Sequence, residues 1–257
     1  MRLLKPALLL MQYSIRQSMK SKVAFVMGLT VPLAYSLVFI VQILINYRIN
    51  GNAFNNLPMS YYFTALFTSQ TIVFTAWERS PRELAKSVLT ADIDLLLLKP
   101  INLFYFKYFR YLDIVVPIMI LLYISCMLIS FSITNLPIHI LGYIFVIIIC
   151  GSLIKLNLRA SVRGLIFFYR DILNTTRVEE SLELLSQNKP PEVFPILIRT
   201  FLTLFLPVML FNNSTFDVIR SLDTPLFWLL LFFWTGLAMY INKSIWSRGL
   251  QKYESIG

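Results

Sequence analysis

Six apolar segments are distributed along this chain, and each is long enough, or nearly long enough, to cross a lipid bilayer as a helix. A hydrocarbon core of about 30 Å needs roughly 20 apolar residues in a helix. With 57% hydrophobic and 14% charged residues, the chain is far more apolar than a soluble domain. The sequence therefore predicts an all-α membrane protein, one domain over residues 1–257, with six transmembrane helices at about 23–47, 60–76, 114–133, 138–158, 194–211 and 226–245.

Lys and Arg residues are distributed unevenly between the two sides of such a chain. Five precede the first span, six lie between the second and third, seven lie in or beside the connection between the fourth and fifth, and three follow the sixth, 21 in all. Only Arg48 and Arg220 fall on the opposite side. Because cytoplasmic connections carry the excess of positive charge, both termini are predicted to be cytoplasmic. Topology thus explains the net charge of +10, and no nucleic acid is expected as a partner.

Two cytoplasmic segments have features of helices outside the bilayer. Residues 2–20 place leucines beside basic residues and glutamine, which is typical of an interfacial elbow helix, with a frayed basic N-terminus as the alternative. In the region 77–112, Ser80 is predicted as an N-cap, with Pro81 at the first helical position and Glu83 completing a capping box. We therefore expect a cytoplasmic helix between the second and third spans.

A run of four leucines follows this helix, between Asp94 and Lys99. The run is too short to cross a bilayer and too apolar for an ordinary loop. Exposed apolar surface beside charged residues indicates a site for a partner. Packing of the leucines in the membrane interface, or against helices of the same domain, is the alternative, and the residues alone favour neither.

Motifs of enzymes and metal centres do not occur in the sequence. Without a phosphate-binding loop, a zinc-protease motif, a cysteine–histidine cluster or an esterase serine motif, we expect neither catalysis nor a cofactor in this chain. Lys155 is expected to snorkel to the cytoplasmic edge of its span, which leaves no Lys or Arg deep in the bilayer. Ser69, Gln70 and Thr71, inside the second span, either line a substrate path or hold helices together by hydrogen bonds.

Three stretches resemble the permease subunit of a type-2 ATP-binding-cassette (ABC) exporter, in the subgroup of six spans and about 260 residues, close to the 257 here. They are DIDLLLLKPIN with the aromatics that follow and Arg110, PPEVFPILIRTFLTLFLPVMLFNN at the fifth span, and the C-terminal IWSRGLQKYESIG. The last is the most specific, because it matches many positions in order. Three departures occur: Thr90-Ala91 replaces a glycine-containing turn, Asn213-Ser214-Thr215 replaces a proline-containing turn, and Ile256 replaces a small residue.

This resemblance implies a dimeric membrane core of two permease chains, identical or related, surrounded by membrane lipids. Two copies of a separate ABC ATPase would bind ATP and Mg²⁺ and drive the transport. The helix between spans two and three would be a coupling helix that lies in a groove of the ATPase. The residues implied in this contact are Arg82, Glu83, Asp92, Asp94, Leu95, Leu96, Lys99 and Pro100.

The same resemblance implies export of a hydrophobic or amphipathic substrate by alternating access in the bacterial inner membrane. Two alternatives stay open. One is the membrane component of an ATP-driven vitamin importer, although its Ala-Arg-Gly motifs do not occur here. The other is a scaffold or sensor that is partnered with the ATPase but does not itself transport.

Overall fold

The computed structural model of the chain describes residues 79–98, 138–169, 194–204 and 225–253, with isolated residues and short runs at 9–41 and 108–128. Within this part of the chain every element is helical, and none of its residues is in a β-strand, as the all-α prediction requires. The helices with defined ends are α1 (Arg79–Leu89), α2 (Ile93–Leu97), α3 (Ile138–Gly164), α4 (Ile196–Leu204) and α5 (Pro225–Lys252), and a 3₁₀ turn, Leu165–Phe167, follows α3.

Helices α3 and α5 are long enough and apolar enough to cross a membrane. They have 27 and 28 residues, so each is about 40 Å long at 1.5 Å per residue, more than a hydrocarbon core of about 30 Å. The predicted fourth and sixth spans are therefore present as helices. Both helices continue past the predicted ends of these spans, to Gly164 and Lys252.

The other predicted spans are described in part or not at all. Every described residue from 22 to 41 and from 118 to 128 is helical, and α4 occupies part of the predicted fifth span. The described residues from 9 to 16, in the predicted elbow segment, are helical as well. The predicted second span lies outside the described residues, so the number of six spans stays a prediction.

The two long helices pack against each other and form the largest apolar cluster among the described residues. On α3, Ile140, Ile144, Ile147 and Ile154 recur at helical spacing and share one buried side. Leu231 of α5 is fully buried against them. The opposite side of α5 exposes large apolar side chains, as expected of a helix that faces lipid or another membrane helix; examples are Leu229, Phe232, Phe233 and Tyr240.

Helix α1 is the helix predicted after the second span, but it begins earlier than the sequence suggests. It starts at Arg79, so Ser80 and Pro81 lie in the first turn, and Ser80 is not the N-cap. Pro81 is tolerated there because the first four N–H groups of a helix have no acceptor within it. The carboxylate of Glu83 pairs with the ammonium group of Lys86 at 3.1 Å on the same helix.

Candidate functional site

Helices α1 and α2 form a hairpin whose turn consists of Thr90, Ala91 and Asp92. The backbone N–H of Thr90 donates to the carbonyl of Lys86, and that of Asp94 donates to the carbonyl of Ala91, both at 3.1 Å. The Thr90 hydroxyl donates to the Asp92 carboxylate at 2.6 Å. Ala91 has a φ of 59°, in the left-handed region that favours glycine. The turn therefore has a conformation suited to glycine, although alanine occupies the position.

Three of the four consecutive leucines face outward from this hairpin. Leu95, Leu97 and Leu98 are 63%, 48% and 81% exposed, whereas Leu96 is 6% exposed and packs with Leu84 of α1. A five-residue helix makes little more than one turn, so only part of a leucine run can face the core. One leucine therefore packs against the domain's own helices and three stay accessible, while a partner at these three stays a prediction.

The other predicted coupling residues are distributed over the same hairpin. Arg82 and Asp92 are exposed, and Glu83 and Asp94 are half-buried. Asp94 lies in the first turn of α2, where the helix dipole favours a negative charge. The hairpin thus carries these groups on the same two helices as the exposed leucines. Five residues of the sequence-based site lie outside the described residues: Lys99, Pro100, Ser69, Gln70 and Thr71.

The buried side of the hairpin contacts the last turns of α5. Trp246 packs with Leu84 and Leu96, and Leu10 of the N-terminal segment packs against the same group. Tyr253, just after α5, packs against a second group of buried side chains, which we call the junction cluster. The junction cluster joins α1, α2 and the 3₁₀ turn and consists of Ala85, Val88, Ile93 and Ile166.

Trp246 connects α5 to α3 and to the 3₁₀ turn. Its indole Nε1–H donates to the backbone carbonyl of Ala160 at 2.8 Å, which satisfies the polar end of a side chain that is only 4% exposed. The indole ring meets the edge of the Phe167 ring at a centroid distance of 5.4 Å. The Phe167 ring in turn meets Tyr253 at 6.1 Å. These contacts hold the ends of α3 and α5 together beside the hairpin.

Two glycines allow this close approach. A Cβ atom at Gly164 would lie 2.7 Å from Nε1 of Trp246, so only glycine leaves room for the indole. A Cβ atom at Gly249 would meet the Phe167 side chain, with its Cγ at 2.7 Å and its Cβ at 2.9 Å. Carbon atoms in van der Waals contact lie about 3.5–4.0 Å apart. The Arg-Gly-Leu triplet near the C-terminus thus places its glycine where the backbone of α5 passes closest to the 3₁₀ turn.

A buried polar network lies next to this packed region. The Asn242 side-chain amide donates to the Tyr108 hydroxyl and, at 2.6 Å, to the side-chain oxygen of Asn157. The Tyr108 hydroxyl donates to the same Asn157 oxygen at 3.1 Å, and the Asn157 amide donates to the carbonyl of Leu153 at 2.7 Å. Buried polar groups in a membrane domain are stabilising when they satisfy one another. This network therefore joins α3, α5 and the segment around Tyr108.

Three basic side chains are enclosed along the C-terminal half of α3. Lys155, Arg159 and Arg163 follow at intervals of four residues and are 1%, 5% and 5% exposed, and each takes part in at least one specific contact. The prediction that Lys155 snorkels to the edge of its span is wrong, because its ammonium group is buried within the protein. The helix continues nine residues beyond Lys155 to Gly164, about 13 Å, so this position is not at a helix end.

Tyr253 and Asp94 link the C-terminal segment electrostatically to α2. Burial of the phenol, and then the neighbouring Asp94 carboxylate, raise the pKa of Tyr253 above its ordinary value. The phenol oxygen is shielded from solvent beside this carboxylate, so the contact joins a buried polar group to a charged one. The neutral phenol is thus the form that this site favours.

Sequence reasoning did not assign roles to Asn157, Asn242, Trp246 and Tyr253. The sequence could have indicated a role for the two asparagines, because an amide inside an apolar span needs a hydrogen-bond partner. The other two lie in the C-terminal stretch that carries the family resemblance, but their contacts depend on packing between distant segments. Among the described residues, no group of His, Cys, Asp or Glu side chains is arranged to hold a metal ion.

Comparison with known families identifies the class of protein that these features define. The model of the ABC-2 family transporter proteins matches residues 29–257, most of the chain. The chain therefore belongs to the ABC-2 transporter family, and the resemblance drawn from the sequence is confirmed. Comparisons with curated proteins and with solved structures gave no match. Membership of this family makes the chain a membrane component, a permease, of an ABC transporter and implies an ABC ATPase subunit as its partner.

Proposed function

We propose that this permease exports a hydrophobic or amphipathic substrate by alternating access, powered by a separate ABC ATPase that binds ATP and Mg²⁺. The complete transporter contains two permease chains, identical or related, and two copies of the ATPase. It lies in the bacterial cytoplasmic membrane with both termini in the cytoplasm. The family match supports the class of transporter, and the uneven distribution of Lys and Arg supports the orientation.

One observation carries the assignment of the ATPase contact: the hairpin is apolar on both sides. Its buried side is covered by α3, α5 and the 3₁₀ turn, whereas Leu95 and Leu98 on the other side are well exposed. Arg82 and Asp92 add charged groups to the exposed side. An apolar centre with a polar rim is typical of surfaces that bind other proteins. We therefore assign the ATPase contact to the exposed side, with the leucines at its centre.

The hairpin is suited to transmit a movement of the ATPase to the rest of the permease. A five-residue helix such as α2 is not stable by itself in water, so its conformation depends on the packing of Ile93 and Leu96. A partner that displaces Leu95 or Leu98 therefore displaces these buried neighbours as well. ATP binding and hydrolysis would shift the equilibrium between the two access states only through such state-dependent contacts.

Purification of the chain from its native membrane in mild detergent tests the proposal. We expect an ATPase with a phosphate-binding loop to co-purify, and mass spectrometry would show whether a second, related permease accompanies it. Recovery of the chain alone, also after cross-linking in the membrane, would contradict the proposal. A bound ATPase whose hydrolysis no hydrophobic or amphipathic compound alters would instead favour a scaffold or sensor.

A second comparison locates the contact on the hairpin. Leu98→Asp should weaken ATPase binding at least about tenfold, because burial of one leucine contributes about 1.5–3 kcal/mol and about 1.4 kcal/mol is a factor of ten. Leu98 is 81% exposed, so the change should leave the fold intact. Tyr169→Asp is the matched control, since Tyr169 is 69% exposed and follows the 3₁₀ turn. Equal ATPase recovery with both variants would remove the hairpin from the interface.

A further inference from the structure

The buried side of the hairpin does not lie on a smooth surface but interlocks with its neighbours. Trp246 packs in one buried cluster with Leu84 of α1 and Leu96 of α2, and its indole N–H donates to the carbonyl of Ala160 of α3 at 2.8 Å. One side chain of α5 therefore contacts α1, α2, α3 and the 3₁₀ turn. A displacement of the hairpin away from α5 would expose this indole and both leucines to water, which is unfavourable.

The contacts next to Trp246 also prevent the hairpin from sliding along α5. Leu250 and Tyr253 pack against the junction cluster, and Tyr253 also lies beside the Asp94 carboxylate of α2. At Gly249 the backbone of α5 passes so close to Phe167 that not even a methyl group fits. Closely packed interiors change between discrete arrangements and do not deform continuously. Relative movement of these elements would therefore require the whole contact to break.

The contact extends from Trp246 towards the N-terminal end of α5. Asn242 lies four residues before Trp246, on the same side of α5, and joins Tyr108 and Asn157 in the buried polar network. Tyr108 belongs to the segment that follows the hairpin in the sequence. Both ends of that connection are thus attached to α5, one through packing and one through hydrogen bonds.

From this arrangement we infer that the α1–α2 hairpin, the 3₁₀ turn and the C-terminal turns of α5 move as one body. Helices α3 and α5 then carry the movement of the ATPase into the membrane. The inference rests on the proposed function, because it assumes that an ATPase acts on the hairpin. It assigns Tyr253 as a positioning residue, which holds α2 against α5 while the exposed leucines contact the ATPase.

A reversible cross-link between Asp94 and Tyr253 tests the inference. Both positions are changed to cysteine in a chain that carries Cys126→Ala and Cys150→Ala, and the purified complex with its co-purifying ATPase is placed in lipid nanodiscs. A short, thiol-cleavable bifunctional reagent then joins the two cysteines. Three quantities are measured: the yield of the intrachain cross-link, the amount of bound ATPase, and the rate of ATP hydrolysis relative to the separated ATPase. The two single-cysteine variants, treated with the same reagent, are the controls.

The unlinked double variant should lose about fivefold or more of its permease-dependent ATP hydrolysis, the lower end of typical coupling between sites. The cross-link should restore most of that rate, because it replaces the lost contact between segments that move together. Cleavage of the reagent should abolish the rescue. A residue that merely stabilised the fold would also lower the Tm and the amount of bound ATPase in the unlinked double variant, whereas a positioning residue lowers the rate of ATP hydrolysis with both unchanged.

Two results would overturn the inference alone. One is a cross-linked complex that retains its ATPase but does not hydrolyse ATP, since the two segments must then separate during the cycle. The other is an unlinked double variant with the parental rate. Failure of the proposed function can be distinguished from failure of the inference alone, because no ATPase would then co-purify with the unmodified chain. The inference would be wrong in that case as well.

Discussion

Substitution of Gly249 by alanine tests the closest contact between α5 and the 3₁₀ turn. The new Cβ would lie 2.7 Å from Cγ of Phe167 and 2.9 Å from Cβ of the same residue. These distances are well below the 3.5–4.0 Å or so at which carbon atoms pack. Rotation of the Phe167 ring cannot move its own Cβ, so the backbone of α5 or of the 3₁₀ turn has to shift.

Two opposing effects set the size of the change in stability. Overpacking of a close-packed interior typically costs about 1–3 kcal/mol. Replacement of glycine by alanine inside a helix contributes about 0.8–1.0 kcal/mol in the other direction. Because the contact involves an atom fixed to the backbone, the upper half of the overpacking range applies, and the net loss is about 1–2 kcal/mol. In a domain of this size such a loss lowers the Tm by about 2–8 °C.

The buried thiol of Cys150 provides the assay. In detergent, a thiol-reactive fluorogenic dye reports the temperature at which Cys150 becomes accessible, with Cys126→Ala present in all variants. Gly142→Ala is the matched control, because a Cβ at this position of α3 meets no atom within 4 Å. Its Tm should be unchanged or slightly raised.

A double-mutant cycle with Phe167→Ala completes the test. Loss of the ring removes two of the three close contacts of the new methyl group, so Gly249→Ala should be less harmful in that background. An interaction free energy of about 0.5–3 kcal/mol is usual for residues in contact. If Gly249→Ala raised the Tm as much as Gly142→Ala does, or if the two changes were additive, the close approach of α5 to the 3₁₀ turn would be refuted.

Three further predictions concern the turn, the polar network and the C-terminal tyrosine. Ala91→Gly should raise the free energy of unfolding by about 0.5–1 kcal/mol in the same thermal assay, because relief of the left-handed strain at φ 59° exceeds the entropy that glycine loses. Asn242→Leu should lower it by about 1–3 kcal/mol, since it removes two hydrogen bonds from buried groups, whereas Tyr108→Phe should have a smaller effect because the bond between Asn242 and Asn157 persists. The raised pKa of Tyr253 means that the folded protein keeps this phenol neutral where an unfolded tyrosine ionises. The stability that Tyr253 contributes should therefore be constant below about pH 10 and decline as the pH rises further, which a comparison of Tm between the parent and Tyr253→Phe would detect; an unchanged difference at high pH would contradict this.

The apolar helices were the most predictable part of the fold. The bilayer determines the hydrophobic pattern of α3 and α5. A segment within a bilayer must form all its backbone hydrogen bonds internally and expose apolar side chains on most sides. Composition and length alone therefore place these helices. Their ends were harder to predict, since both helices continue past the predicted spans and end at Gly164 and Lys252.

Burial within the protein was the part that local sequence could not predict. Lys155 stands near the end of an apolar run, where snorkelling is the usual solution. Its ammonium group is instead enclosed, because α3 extends further and other segments cover it. The local sequence does not indicate which side of a helix other segments of the chain will cover. The same uncertainty applied to Leu96, which differs from Leu95 only in its position around a five-residue helix.

The hairpin and the C-terminal stretch, two of the segments that carry the family resemblance, meet in the fold, and their contacts give a physical reason for the resemblance. Trp246, Leu250 and Tyr253 project from the end of α5 onto the buried side of the hairpin, and Gly249 lets the backbone approach closely enough for them to reach it. A change in either segment alone would leave a cavity or a clash in the other. Packing against the hairpin is the role that these contacts assign to the C-terminal stretch.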